Sequence, residues 1–230
     1  MVTTESFTWE QLQDKAAFAS RKSVLELSVA MSERVPGHIM EFGVANGNST
    51  RILRNASARS KKQVFACDSF EGLQEKYENC EIGEFACEPP RIAGVQIVKG
   101  FFDQSLTPEL ASRVGRVSLA SLDADLYSST MCALMWLTPL LGTGSLLLFD
   151  EFLGEQESEK RAFEDWAQKT GTQTVLVAEF LREPSGYGTK IDQRALFQVV
   201  CQESLPVPEK SIRERILASP VGKLARRLKN

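Results

Sequence analysis

The chain has 230 residues, 43% of them hydrophobic and 25% charged, with a net charge of −3. That length and composition suit one globular domain with a sizeable core, and so small a charge creates no field that would draw nucleic acid. Residues Met1 to Glu10 show neither a basic start nor an apolar stretch, which speaks against a secretory signal, and no apolar run is long enough for a membrane-spanning helix.

Cys67, Cys80, Cys87, Cys132 and Cys201 are odd in number and scattered, as in a reduced, cytoplasmic protein. With His38 as the single histidine, a zinc site of ordinary spacing is not expected.

In chain order, Thr8 is placed to cap a helix over 9–20. A second helix is expected over 23–34, where Val24, Leu27 and Met31 share one face, and Pro36-Gly37 stops it. His38 to Phe42 reads as a first strand, 43–49 as a glycine-containing turn, 50–58 as a helix and 63–67 as a second strand ending at Asp68. The polar segment Glu71 to Arg91 reads as a surface excursion. A third strand covers 94–98, and Thr107 caps a helix that starts at Pro108, since proline suits the first helical position. A fourth strand over 117–122, a helix over 126–141, a fifth strand over 145–149 and an amphipathic helix over 158–168 follow. Strands over 174–178 and 195–200 close the pattern.

Such alternation predicts an α/β fold, a seven-stranded, mostly parallel sheet with helices on both faces. No long helical pattern separates the last two strands, so the last can insert antiparallel. The expected organisation is an N-terminal helical lid over 1–36, one domain over 37–202 and a basic tail over 203–230. Residues 209–230 carry seven basic and two acidic side chains. They read as a solvated or docked helix, with membrane or nucleic-acid contact as the alternative.

Two apolar runs end in pairs of acids, Asp123 and Asp125 after the first, Asp150 and Glu151 after the second. In a parallel sheet the carboxyl ends of the strands share one edge, where ligands bind. Four acids there repel one another without a cation, and a hard ion such as Mg²⁺ is the expected one. The bland alternative is that an acid caps the following helix.

The turn Glu41-Phe-Gly-Val-Ala-Asn-Gly-Asn-Ser49 is neither G-x-G-x-x-G nor a P-loop. Its acid-x-Gly-x-x-x-Gly spacing is the pattern of S-adenosylmethionine (SAM) enzymes, or else an ordinary β-to-α turn. Asp68 is placed to accept ribose hydroxyls of a nucleoside across that turn, or to cap a helix.

Asp68-Ser-Phe-Glu-Gly-Leu73 and Leu122-Asp-Ala-Asp-Leu-Tyr-Ser-Ser-Thr130, with Glu41-Phe-Gly-Val44, Lys99-Gly-Phe-Phe-Asp103, Leu148-Phe-Asp-Glu-Phe152 and the helix from Glu159 to Glu164, resemble the macrocin-type O-methyltransferases. These are class I, Mg²⁺-dependent SAM enzymes that methylate sugar hydroxyls on macrolides and aminocoumarins. The resemblance implies a Rossmann-like class I SAM-methyltransferase fold and Asp125 as general base. It implies Mg²⁺ on Asp123, Asp150 and Glu151, the last standing where the family commonly has Asp. SAM would meet Glu41, Phe42, Gly43, Val44, Asn46, Ser49, Asp68, Ser69, Phe70, Gly100, Phe102 and Asp123.

The partner implied is a small acceptor with a sugar hydroxyl, with no nucleic acid and no membrane span; homo-oligomerisation stays open. A catechol or other vicinal diol as acceptor, and a non-catalytic SAM-binding protein, are the rival readings. A nicotinamide-dependent reductase is disfavoured by the missing glycine fingerprint and the lack of a Tyr-x-x-x-Lys pair. Phe101 and Phe102 are candidate walls of the acceptor site. Tyr127 and Trp136 either line a pocket or pack a helix, and His38 reads as a strand-edge residue.

Overall fold

The computed structural model describes residues 17–77, 79–153, 157–181 and 193–201. Its centre is a sheet in the order β1-β7-β8-β6-β5-β2-β3-β4. The strands are β1 (Ala17–Phe18), β2 (His38–Phe42), β3 (Val64–Asp68), β4 (Val95–Lys99), β5 (Val117–Leu122), β6 (Leu146–Phe149), β7 (Gln173–Leu181) and β8 (Gln193–Cys201). All pairings are parallel except those of β8, which runs antiparallel between β6 and β7. Residues 182–192 lie outside the described residues, and none of the described elements between β7 and β8 is a helix.

The helices are α1 (Arg21–Ser32), α2 (Asn48–Ala56), α3 (Phe102–Ser105), α4 (Pro108–Val114), α5 (Tyr127–Leu137) and α6 (Ser158–Thr170). Side chains alternate across the strands, so each central strand feeds two cores. Met40 and Phe42 of β2, Ala120 and Leu122 of β5, and Leu147 and Phe149 of β6 face the core beneath α3 to α6. Ile39, Leu119, Leu146 and Leu148 face the other core, with Val24, Leu25 and Val29 of α1 and Leu53 of α2. Burying each such side chain contributes roughly 1.5–3 kcal/mol, which makes the central strands rigid supports for what their ends carry. Beneath α6, Trp166 is fully buried and its indole N–H donates to Thr138 Oγ1 at 2.9 Å.

Three differences from the sequence-based expectation stand out. Residues 17–18 of the helix expected over 9–20 form β1, an eighth strand on the edge beside β7. The rest of that helix, and the basic tail over 203–230, lie outside the described residues. The following helix starts two residues early, because the Ser20 side chain accepts the Ser23 N–H and caps it. The short α3 was also not anticipated, while the Thr107 cap and Pro108 start of α4 are as expected.

Candidate active site

Strand order reverses at β2, whose neighbours are β3 on one side and β5 on the other. A crevice opens at such a switch point, outside the carboxyl ends of the strands. Gly43, at φ +90°, passes so close to the loop after β5 that a Cβ there would lie 1.8 Å from the Asp123 carbonyl oxygen. Only glycine lets the two loops meet. The ends are also knit by backbone bonds, from Asp123 N–H to the Phe42 carbonyl at 2.9 Å and from Asp150 N–H to the Leu122 carbonyl at 3.0 Å.

Asp68 shapes the turn. Its Oδ2 accepts the Val44 and Ala45 N–H groups at 2.7 and 2.9 Å, and its Oδ1 accepts the Phe70 N–H at 2.7 Å. No helix follows, so the capping role is not the one it plays. A carboxylate offers about four lone-pair sites, which leaves acceptor capacity toward the crevice. Behind the turn, Glu41 is 1% exposed and its Oε2 accepts the Thr50 hydroxyl. Burial pushes its carboxyl up to about 7, moderated by the Ser49 and Thr50 hydroxyls.

The acid edge holds cations of its own. Arg21, the first residue of α1, places Nη2 3.0 Å from Asp123 Oδ2 and hydrogen-bonds Asp150 Oδ2 with the same nitrogen. Asp123, with Asp150 after it, raises the Arg21 pKa further above its ordinary value against the opposing effect of burial. From β8, the buried Arg194 donates Nε to Asp150 Oδ1 at 2.6 Å. Glu151 Oε2 accepts the Tyr77 hydroxyl at 3.0 Å.

Glu159, in the first turn of α6, is 1% exposed and ties the two acid loops together. It accepts the Glu151 N–H at 3.0 Å and the Ala124 N–H at 3.4 Å. Burial first, then Asp123, hold its carboxyl well above the usual range.

These arginines correct the premise that the acids lack a cation. They also decide how a metal would fit. Mg²⁺ requires oxygens at about 2.0–2.1 Å in near-octahedral array. Here the oxygens of Asp123 and Asp150 that face each other share a guanidinium nitrogen, and Glu151 is turned to Tyr77. Among the described residues no group of three or more His, Cys, Asp or Glu is arranged to hold a metal. As these side chains stand, Asp123, Asp150 and Glu151 do not fit the ion.

A cleft of about 390 Å³ runs from the turn to the loop after β5. Gly43, Val44, Asn46, Ser49, Asp68, Ser69, Phe102 and Asp123 line it, as do Asp125 and Glu151. Glu41, Phe42, Phe70, Gly100 and Asp150 are not part of its lining. Phe42 instead packs edge-on against Phe102, with ring centroids 5.5 Å apart. Asp125 sits at φ +56°, unusual for a residue with a side chain. Such strain persists where surrounding structure enforces it, often at functional sites.

Phe101 joins Phe102 in the wall, as expected. Gly72 and Leu73, at the end of the Asp68 to Leu73 motif, line the cleft with Gln74 and Phe85, which no sequence pattern marked, and so bring the 71–91 segment over it. That segment is fastened by the Tyr77 hydroxyl to Glu151 and by the Ser128 hydroxyl to Glu75 at 2.6 Å. Tyr127 is turned away, donating to Asp165 at 2.6 Å under the Arg161 guanidinium, and Trp136 donates to the Thr107 carbonyl from the core. Both pack helices. His38 accepts the Gln63 N–H at the far end of β2.

Known proteins resemble this chain in part of its sequence and in its fold. Residues 92–178 match the sequence model of the macrocin-O-methyltransferase (TylF) family. That stretch contains Asp123, Asp125, Asp150, Glu151 and Glu159, and lacks the Gly43 turn, Asp68 and both arginines.

A curated protein of Streptomyces olivaceus, 8-demethyl-8-(2,3-dimethoxy-alpha-L-rhamnosyl)-tetracenomycin-C 4'-O-methyltransferase, is 26% identical over 151 residues. The match spans 55% of this chain and 57% of that protein, little more than half of each.

The structure of CalS11, a calicheamicin methyltransferase, superposes with a TM-score of 0.60 at 18% identity, covering 83% of this chain and 80% of that one. The O-methyltransferase NovP does so with a TM-score of 0.60 at 20% identity, covering 79% and 80%. The fold is thus that of the class I SAM methyltransferases, and the resemblance to the macrocin-type family holds. Among the described residues no helix is long and apolar enough to cross a membrane.

Proposed function

We propose, from a chain whose residues 92–178 match the macrocin-O-methyltransferase family, that this protein is a SAM-dependent O-methyltransferase acting on a sugar hydroxyl of a glycosylated natural product. One observation carries the reading: a single cleft has Asp68 and the Gly43 turn at one side and Asp125 at the other. Bound SAM would supply an electrophilic methyl on sulfur. Asp68 and the turn would receive its ribose and amino-acid portions, with Asp125 in the lining of the same cleft.

A sugar hydroxyl is a weak nucleophile near neutral pH, so its proton must be taken as the oxygen attacks. We assign that task to Asp125, one of the acids of the cleft wall, and base catalysis of this kind contributes roughly 10²–10⁴-fold. Positioning supplies more, up to about 7–11 kcal/mol in favourable cases. Phe85, Phe101 and the 71–91 segment form the wall against which an acceptor would be held.

The Mg²⁺ that the acid pairs suggested does not fit the carboxylates as the arginines hold them. The acceptor is a small molecule rather than nucleic acid, in keeping with the net charge of −3. The odd number and scatter of the cysteines favour work in the cytoplasm.

The test is isothermal titration with SAM, followed by methyl transfer to rhamnosylated aromatic acceptors and to a simple catechol. SAM binding with turnover of a rhamnoside supports the reading. Turnover of the catechol alone would move the acceptor class, and no SAM binding would remove the activity altogether.

A further inference from the structure

Asp123 and Asp150 project from the ends of two adjacent strands, and each is engaged by a guanidinium. The two arginines differ in freedom. The Arg194 side chain is 4% exposed and holds the Asp150 oxygen turned toward β8. The Arg21 side chain is 35% exposed, lines the cleft, and touches the oxygens of both acids with one nitrogen. Arg194 is therefore a fixed partner, while Arg21 is one that can swing into the open cleft.

With both in place, two guanidinium charges stand against two carboxylates. A divalent ion added beside them would face Arg21 at short range in a partly desolvated site, where like charges are costly.

We infer that Arg21 is the resident cation of this edge: its guanidinium holds the position from which a divalent ion would bridge Asp123 and Asp150, so such an ion binds these carboxylates only by displacing it. Arg21 is thereby a positioning residue that sets the side chains of the two acids beside Asp125. The inference deepens the methyltransferase reading, since it concerns the same cleft, but its geometry stands apart from SAM binding.

Mn²⁺ is the probe, because its paramagnetic resonance signal counts free ion directly and is independent of turnover. The full chain and Arg21→Gln would be titrated with Mn²⁺, with SAM titrated into the same samples. Removing the guanidinium leaves Asp123 facing Asp150 without their shared cation, so the variant should bind Mn²⁺ at least about tenfold more tightly than the native protein. Its melting temperature, lowered in chelator, should rise more on Mg²⁺ addition than that of the native chain.

Equal or weaker Mn²⁺ binding by Arg21→Gln, including none in either protein, overturns the inference. If that variant does not fold, Arg21→Lys serves: an ammonium cannot make the same forked contacts, so Mn²⁺ affinity should rise by a smaller factor, and no rise overturns the inference. Failure of SAM to bind the native chain would defeat the methyltransferase reading while leaving the Mn²⁺ comparison intact.

Discussion

Replacing Glu41 with Gln separates a buried acid that supports the Gly43 turn from one that works in the cleft. Glu41 is 1% exposed, accepts the Thr50 hydroxyl, and does not line the cleft. Burial raises its carboxyl from 4.5 in the open chain to about 7 in the folded protein. The folded state therefore holds this proton more tightly than the unfolded one. The stability linked to it is fully present below the unfolded value and is lost as pH rises through the folded value.

A rise from 4.5 to about 7, at about 1.4 kcal/mol per pH unit, amounts to about 3 kcal/mol lost by the native protein toward pH 8. Gln has nothing to ionise, and its carbonyl oxygen keeps the Thr50 bond. Urea unfolding of both proteins should show the variant gaining about 2–3 kcal/mol on the native chain between about pH 5 and pH 8. A stability difference that stays constant with pH would refute the reasoning, since Glu41 would then be ionised throughout or hydrated.

Asp68→Ala removes the acceptor of three backbone N–H groups. Water replaces part of this at the open turn, so thermal melts should show a loss of about 2–3 kcal/mol. SAM affinity by calorimetry should fall at least about tenfold, and unchanged affinity would contradict the ribose role. Gly43→Ala places a Cβ 1.8 Å from a backbone oxygen, whereas Gly83→Ala, at a similar positive φ, meets nothing within 4 Å. The first should lose stability and SAM binding together, while the second loses only the backbone cost of about 1–2 kcal/mol; equal melting temperatures would show that the loops move apart freely.

Much of the scaffold was legible because burial and local capping wrote it into the sequence. The strand Val117–Leu122 is buried along its whole length and reads as a largely apolar run, broken only by Ser118 and Ser121. Thr107-Pro108 carries its helix start in two residues. The antiparallel last strand followed from the lack of a crossover helix. The acids and the glycine turn were legible as chemistry, since a short loop after a strand has few reasons to hold them.

What closes around them was not. Arg21 and Arg194 reach the edge from α1 and β8, far along the chain from the acids they serve. A single arginine at a helix start or on a strand has no local pattern. The two-residue β1 owes its strand form to its neighbour β7, and the 71–91 segment owes its place to Tyr77 and Glu75. These are tertiary contacts that no periodicity announces.

The account turns most directly on Asp125. Asp125→Asn keeps the size of the side chain and removes its basicity, so SAM affinity should remain within about twofold while single-turnover methyl transfer falls by roughly 10²–10⁴. A variant that binds SAM and transfers methyl at the native rate would contradict the assignment of the base and, with it, the chemistry proposed for the cleft.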